Sequence, residues 1–150
     1  MTGEDKDIDR VFIRKEDREI YQTIRTQEGD LQGASNADLF LMAMMLGYDK
    51  NKKLGINVMD KKPPKLNDGL IRTVSFNTDA WDLIKSFAVH IDQDVTVLAD
   101  NDRMLDIAQR YAFEGISVLN TEYNKDKHGF LAVLENLIDN KFEEDETNQS

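Results

Sequence analysis

The sequence predicts an α+β fold, predominantly α: a helical bundle-like domain around a buried central helix, with a small two-stranded β element. Three observations point there. Apolar residues recur at three- and four-residue spacing in five segments, the period of one helix face. One of these segments, Leu39–Leu46, is apolar on every side, as suits a helix enclosed by protein. Two short β-prone runs flank a pair of prolines that neither a helix nor a sheet interior accepts.

Residues 1–10 read as an acidic N-terminal tail, 11–142 as one globular domain and 143–150 as an acidic C-terminal tail, since Glu143-Glu144-Asp145-Glu146 has no apolar anchor. Val11-Phe12-Ile13 is either a short strand or an apolar staple before the first helix. That helix is expected over Lys15–Gln27, with Ile20, Tyr21 and Ile24 at helical spacing and Gly29–Gly33 breaking it. The second helix is capped by Ser35-Asn36, places Asp38 in its first turn and is expected to stop at Gly47. Leu54–Met59 and Ile71–Phe76 read as strands of one ribbon, joined by the loop Asp60-Lys61-Lys62-Pro63-Pro64-Lys65.

A third helix, capped by Asn77 or Thr78, runs to about Ile91 and is expected to bury Trp81, Ile84, Phe87, Ala88 and Ile91. The fourth starts at Asn101 or Asp102. It carries Met104, Leu105, Ile107, Ala108, Tyr111 and Ala112 as its buried stripe, and Gly115 marks its end. The fifth covers roughly His128–Phe142 through Phe130, Leu131, Leu134, Leu137 and Ile138.

The 150 residues suffice for a hydrophobic core without crosslinks, and 40% hydrophobic with 32% charged residues argues for a folded chain. There is no cysteine, which removes disulfides, thiolate metal sites and cysteine nucleophiles. Met1–Arg10 is acidic and polar, unlike a signal peptide, and Leu39–Leu46 is too short to cross a bilayer. The expected location is the cytoplasm, without membrane contact.

Candidate chemistry is sparse. His90 and His128 stand alone, outside any H-x-H or H-E-x-x-H pattern, and isolated histidines are usually structural or exposed. Asp100-Asn101-Asp102 opens like a calcium loop, but Met104 and Leu105 fill the next positions, so a helix cap explains the acids better. Gly115-Ile116-Ser117-Val118-Leu119 is half a nucleophile elbow without the second glycine or a preceding strand. Phosphate-binding glycine motifs are absent. One enzymatic alternative is a metal-dependent nuclease: Asp49, then the expected strand 54–59 ending in Asp60-Lys61-Lys62, with carboxylates for magnesium and Lys62 to steady the attacking water. That alternative rests on Asp49, Asp60 and Lys62. Otherwise no catalytic, metal-ligating or cofactor-binding residue is expected.

Charge is more informative. The chain carries −10 overall, yet Lys50–Arg72 holds seven basic residues (Lys50, Lys52, Lys53, Lys61, Lys62, Lys65 and Arg72) against Asp60 and Asp68. This strip carries +5 within an acidic body, the pattern of a docking face for phosphates or for an acidic protein surface.

Two stretches are also familiar. Leu39-Phe40-Leu41-Met42-Ala43-Met44-Met45-Leu46-Gly47-Tyr48, followed by Lys50-Asn51-Lys52-Lys53, gives an apolar helix, a glycine, an aromatic and a basic turn. Val97-Leu98-Ala99-Asp100 leads into Ile107-Ala108-Gln109-Arg110-Tyr111-Ala112-Phe113-Glu114-Gly115-Ile116, of the form I-A-x-x-Y-A-x-x-G-I. With the helix Trp81–Ile91 between them, they resemble the DNA phosphorothioation-associated protein 4 (Dnd system-associated) family from Val11 to about Leu119. Asn51-Lys52-Lys53 departs from the family pattern by lacking its glycine. The resemblance implies a cytoplasmic component of a bacterial or archaeal system that marks DNA with backbone sulfur and restricts unmarked DNA. It carries over no catalytic residue, and Lys50–Lys53 is the family-matched element for contact with DNA or another subunit. The expectation is a non-enzymatic accessory or adaptor protein binding DNA or another subunit through the basic strip. A regulatory module with a purely protein partner is the remaining alternative.

Overall fold

The computed structural model describes residues 10–132 and 134–135. The fold is predominantly helical with one two-stranded antiparallel sheet. Strand β1 (Arg10–Ile13) leads through a 3-10 turn, Lys15–Asp17, into helix α1 (Arg18–Thr26). Helix α2 (Asn36–Lys53) follows, then a 3-10 turn at Val58–Asp60, strand β2 (Asp68–Arg72) and another such turn at Thr73–Ser75. Helices α3 (Thr78–Asp92) and α4 (Asn101–Lys125) are joined by a 3-10 segment, Val95–Ala99. Residues 130–132 and 134–135 are helical, and the rest of the expected His128–Phe142 helix lies outside the described residues.

The starts of the helices lie where short polar side chains can accept the first free backbone amides. Ser35 Oγ accepts from Asp38 N at 3.0 Å, Asn77 Oδ1 from Ala80 N at 2.8 Å and Asp100 Oδ1 from Arg103 N at 3.0 Å. The expected cap at Asn101 or Asp102 is therefore Asp100, one residue earlier.

Two helix ends differ from expectation for one physical reason. Gly47 does not end α2, which continues to Lys53, and Gly115 does not end α4, which continues to Lys125. Both glycines are buried where α2 and α4 cross. A Cβ on Gly47 would collide with the Tyr111 carbonyl oxygen, and one on Gly115 with that of Ala43; the two glycines also face each other. Glycine is present here because the backbones touch, a use for which a missing side chain outweighs the roughly 1 kcal/mol it costs inside a helix.

The core surrounds this crossing. Leu39, Phe40, Ala43, Met44 and Leu46 of α2 are buried, and Leu41, Met42 and Met45 are partly buried. From α4 come Met104, Leu105, Ile107, Ala108, Tyr111, Ala112, Ile116, Leu119 and Tyr123. Ile84, Phe87 and Ala88 of α3 complete one side, while Trp81 and Ile91 are only partly buried, Trp81 meeting Phe76 edge-on at 5.8 Å. Each fully buried aliphatic or aromatic chain contributes about 1.5–3 kcal/mol.

The sheet also departs from the expected ribbon. Val11-Phe12-Ile13 is a strand, and it pairs with β2 in the register Arg10↔Arg72, Val11↔Ile71, Phe12↔Gly69 and Ile13↔Asp68, with a bulge between Val11 and Phe12. Leu54–Met59 is not its partner. That segment is a turn followed by the 3-10 turn, with Leu54 62% and Ile56 40% exposed. The strand expected at Ile71–Phe76 begins at Asp68 and ends at Arg72. Val11 and Ile13 point into the core, and Gln109 Oε1 accepts from the Phe12 amide at 2.7 Å, fixing the sheet to α4. Arg18 holds Asp68 at 2.7 Å, tying α1 to β2.

Candidate functional site

The extension of α2 beyond Gly47 places Lys50, Lys52 and Lys53 in its last turn, where cations complement the negative end of the helix dipole. Asn51, between them, is 1% exposed and donates through Nδ2 to the Gly47 carbonyl at 2.8 Å and to Glu114 Oε1 at 3.4 Å. The helix closes through Gly55 (φ 69°), whose amide reaches the Lys52 carbonyl at 3.1 Å, while the Ile56 amide reaches that of Asn51 at 2.9 Å. Asn57 Oδ1 accepts from the Met59 amide at 3.0 Å and starts the next turn.

All seven cations of the strip are exposed. Lys53 pairs with Asp49 at 2.9 Å, and Lys61 with Glu114 at 3.0 Å. Lys52 Nζ lies 5.7 Å from the centroid of the Tyr48 ring. Among the described residues Lys50, Lys62, Lys65 and Arg72 form no ion pair. Because Glu114 meets both Asn51 and Lys61, it brings the start of the proline loop against the end of α2. Arg72 is placed differently, at the end of β2 opposite Arg10, and no described contact joins it to the lysines.

The nuclease-like arrangement loses its framework. Asp60 ends a 3-10 turn rather than a strand, and Asp49 lies on α2 against Lys53. Among the described residues no three acidic, histidine or cysteine side chains are grouped as metal ligands. Ser117 is exposed in the middle of α4, without the strand-to-helix turn of a nucleophile elbow.

Beside the basic turn is a feature that no local sequence pattern announces. Tyr48 and Lys52 of α2, Ile56 and Asn57 of the following turn, His90 and Gln93 at the end of α3, and Tyr111 of α4 line an open groove of about 410 Å³. Tyr48 Oη and His90 Nε2 share a hydrogen bond of 2.7 Å. Phe87 packs edge-on beneath both tyrosines, with ring centroids 5.6 Å from Tyr48 and 5.1 Å from Tyr111. Burial pushes the Tyr111 phenol up, against the Val58 backbone N–H that its oxygen accepts; Tyr48, Asp60 and Glu114 add to the rise. The phenol therefore stays protonated near neutrality and keeps a proton to donate. Gln93 is left-handed (φ 53°), and its side chain donates to the His90 carbonyl at 2.6 Å. Tyr48 and Tyr111 both fall within the two familiar stretches, Tyr111 in the expected buried stripe and Tyr48 just past the expected end of its helix, while His90 reads as an isolated histidine.

No helix among the described residues is long and apolar enough to cross a membrane. Among curated proteins and solved structures, nothing matches the chain. The family model of DNA sulphur modification system-associated protein 4 matches residues 10–150, which includes β1, the α2–α4 crossing, the basic strip and the groove. The chain belongs to that family, and so to the proteins associated with DNA sulphur modification systems.

Proposed function

We propose that this protein is a non-enzymatic accessory or adaptor of a DNA sulphur modification and restriction system, docking DNA or another subunit through its basic strip. The observation that carries this reading is the exposure of Lys50, Lys52, Lys53, Lys61, Lys62, Lys65 and Arg72 on a chain of net charge −10. The ion pairs at Lys53 and Lys61 do not argue against it. Exposed pairs of this kind are worth about 0–1 kcal/mol, so a phosphate or a partner's carboxylate can displace them at little cost. The acidic remainder limits long-range attraction to nucleic acid and favours docking in a defined orientation, cations first.

Anisotropy titrations of a labelled DNA duplex across a salt series test the reading, together with recovery of bound subunits from the native host. The triple variant Lys50→Glu, Lys62→Glu, Lys65→Glu should lose DNA retention or lose the co-purified subunit. DNA binding should weaken with salt at a slope of about −0.9 per phosphate neutralised. A variant that retains both DNA and subunit as the parent does would overturn the proposal. Loss of the subunit alone, with no DNA binding at low salt, would make the partner purely protein. The non-enzymatic part is checked by plasmid incubated with magnesium or manganese, which should remain intact.

A further inference from the structure

We infer that the groove between Tyr48, His90 and Tyr111 is a binding site for a single nucleoside phosphate. Its volume of about 410 Å³ falls within the range of small-molecule sites. Its lining combines an apolar part with hydrogen-bond donors and contains no carboxylate. Ile56, Ile91 and the Tyr48 ring supply the apolar part, where a base can be covered. The donors are the Lys52 ammonium, the Asn57 side-chain amide, the imidazole–phenol pair and the Tyr111 hydroxyl.

Two helices end at this groove, and their carbonyl dipoles would ordinarily repel an anion. Here much of that negative end is already engaged. The carbonyls of Lys50, Asn51 and Lys52 accept from the amides of Leu54, Ile56 and Gly55, and those of Val89 and His90 from Gln93. Asn57 Oδ1 is likewise taken by the Met59 amide, which leaves its NH₂ as a donor. Of the acids near the α2 end, Glu114 is covered by Lys61 and Asn51, and Asp49 pairs with Lys53. The groove thus offers donors and one fixed cation to a ligand with a phosphate and a planar ring. A bare phosphate would leave the apolar wall wet, and a neutral nucleoside would leave the donors unmatched. The same chemistry is presented by a free mononucleotide and by an unpaired nucleotide of a DNA strand.

Calorimetric titration of the full chain with deoxyadenosine 5′-monophosphate, deoxyadenosine and inorganic phosphate tests the site. The monophosphate should bind, and each of the other two should bind roughly tenfold or more weakly, the loss expected when one charge-assisted contact or the ring contact is removed. Tyr48→Phe, which keeps the ring, and His90→Ala should each weaken the monophosphate several-fold while thermal unfolding stays close to the parent. Lys62→Glu with Lys65→Glu should leave monophosphate binding intact, which separates this site from the docking strip. Competition by a single-stranded oligonucleotide assigns the ligand to an unpaired strand; competition by mononucleotide alone assigns it to a free nucleotide. Absence of heat and of chemical-shift change at millimolar monophosphate would overturn the inference, as would binding indifferent to both Tyr48→Phe and His90→Ala.

Discussion

The close crossing of α2 and α4 makes Gly115→Ala the most direct test of the fold. In an isolated helix this change would stabilise by about 1 kcal/mol, because alanine restricts the unfolded chain more than glycine does. In this protein the added methyl would strike the Ala43 carbonyl oxygen and lie 2.7 Å from its carbon and 2.5 Å from the Gly47 amide nitrogen. Every atom it meets is backbone, so no side-chain rotation relieves the contact and the helices must move apart. A gap of 0.5–1 Å already forfeits about a quarter to a half of each dispersion contact across it. Overpacking typically costs about 1–3 kcal/mol, and the rigidity of both partners argues for a gross cost beyond the upper end. After the helix gain is subtracted, a net loss of about 2–3 kcal/mol follows, roughly 5–10 °C in Tm for a domain of this size. Urea unfolding and calorimetry read both quantities. Ser117→Ala, exposed on the same helix, provides the control and should stay within about 0.5 kcal/mol of the parent. Gly47→Ala should cost a similar amount to Gly115→Ala, and the double variant less than their sum, since one separation relieves both collisions. A Gly115→Ala protein as stable as the parent, or more so, would refute the crossing.

Other consequences can be measured independently. Glu114→Gln releases Lys61 from its ion pair and should tighten docking of DNA severalfold at low salt, steepening the salt slope by about 0.9; an unchanged slope would remove Lys61 from the contact. Asn51→Asp places a carboxylate, 1% exposed, against the Gly47 carbonyl and Glu114, and should destabilise by about 3 kcal/mol in urea unfolding at neutral pH, less as Glu114 and the new acid become protonated. Hydrogen bonds from Arg18 and Arg103 hold the Asp68 and Asp92 carboxyls below their ordinary value of 3.8. Their stabilisation is therefore present above that value and is lost as pH falls through the lower folded values. Asp68→Asn and Asp92→Asn should each reduce stability at neutral pH and flatten its decline below about pH 4, a difference read by thermal unfolding at stepped pH.

The fold class was legible because helix type depends on local period. The segments carrying Ile20, Tyr21 and Ile24, or Met104 through Ala112, have only one amphipathic reading, and Ser35 and Asn77 mark starts by side-chain chemistry confined to four residues. Ends and pairings depend on distant chain. Gly47 and Gly115 carry the composition of a helix stop, and only the opposite backbone, 68 residues away in sequence, turns them into contact points. Val11–Ile13 selects Asp68–Arg72 across more than fifty residues, whereas Leu54–Met59, equally β-prone, is drawn into the cap of α2 by the amides of Gly55 and Ile56.

The same distinction separates the two parts of the candidate site. A surplus of lysine is a property of composition, so the strip can be counted before any coordinate is known, but its geometry cannot. Glu114 joins Lys61 to the end of α2 while Arg72 remains on the sheet, and nothing between residues 50 and 72 encodes that division. The groove is less local still. Tyr48, His90 and Tyr111 lie on three different helices, and each fits its own helix without reference to the others. What unites them is the α2–α4 contact: two glycines let the backbones touch, Phe87 of α3 packs edge-on against both tyrosine rings, and both tyrosines line the groove. A methyl group at Gly47 would therefore disturb more than packing. From a position next to Tyr48 it presses on the Tyr111 carbonyl, so the crossing that supports the core also sets the spacing of the groove.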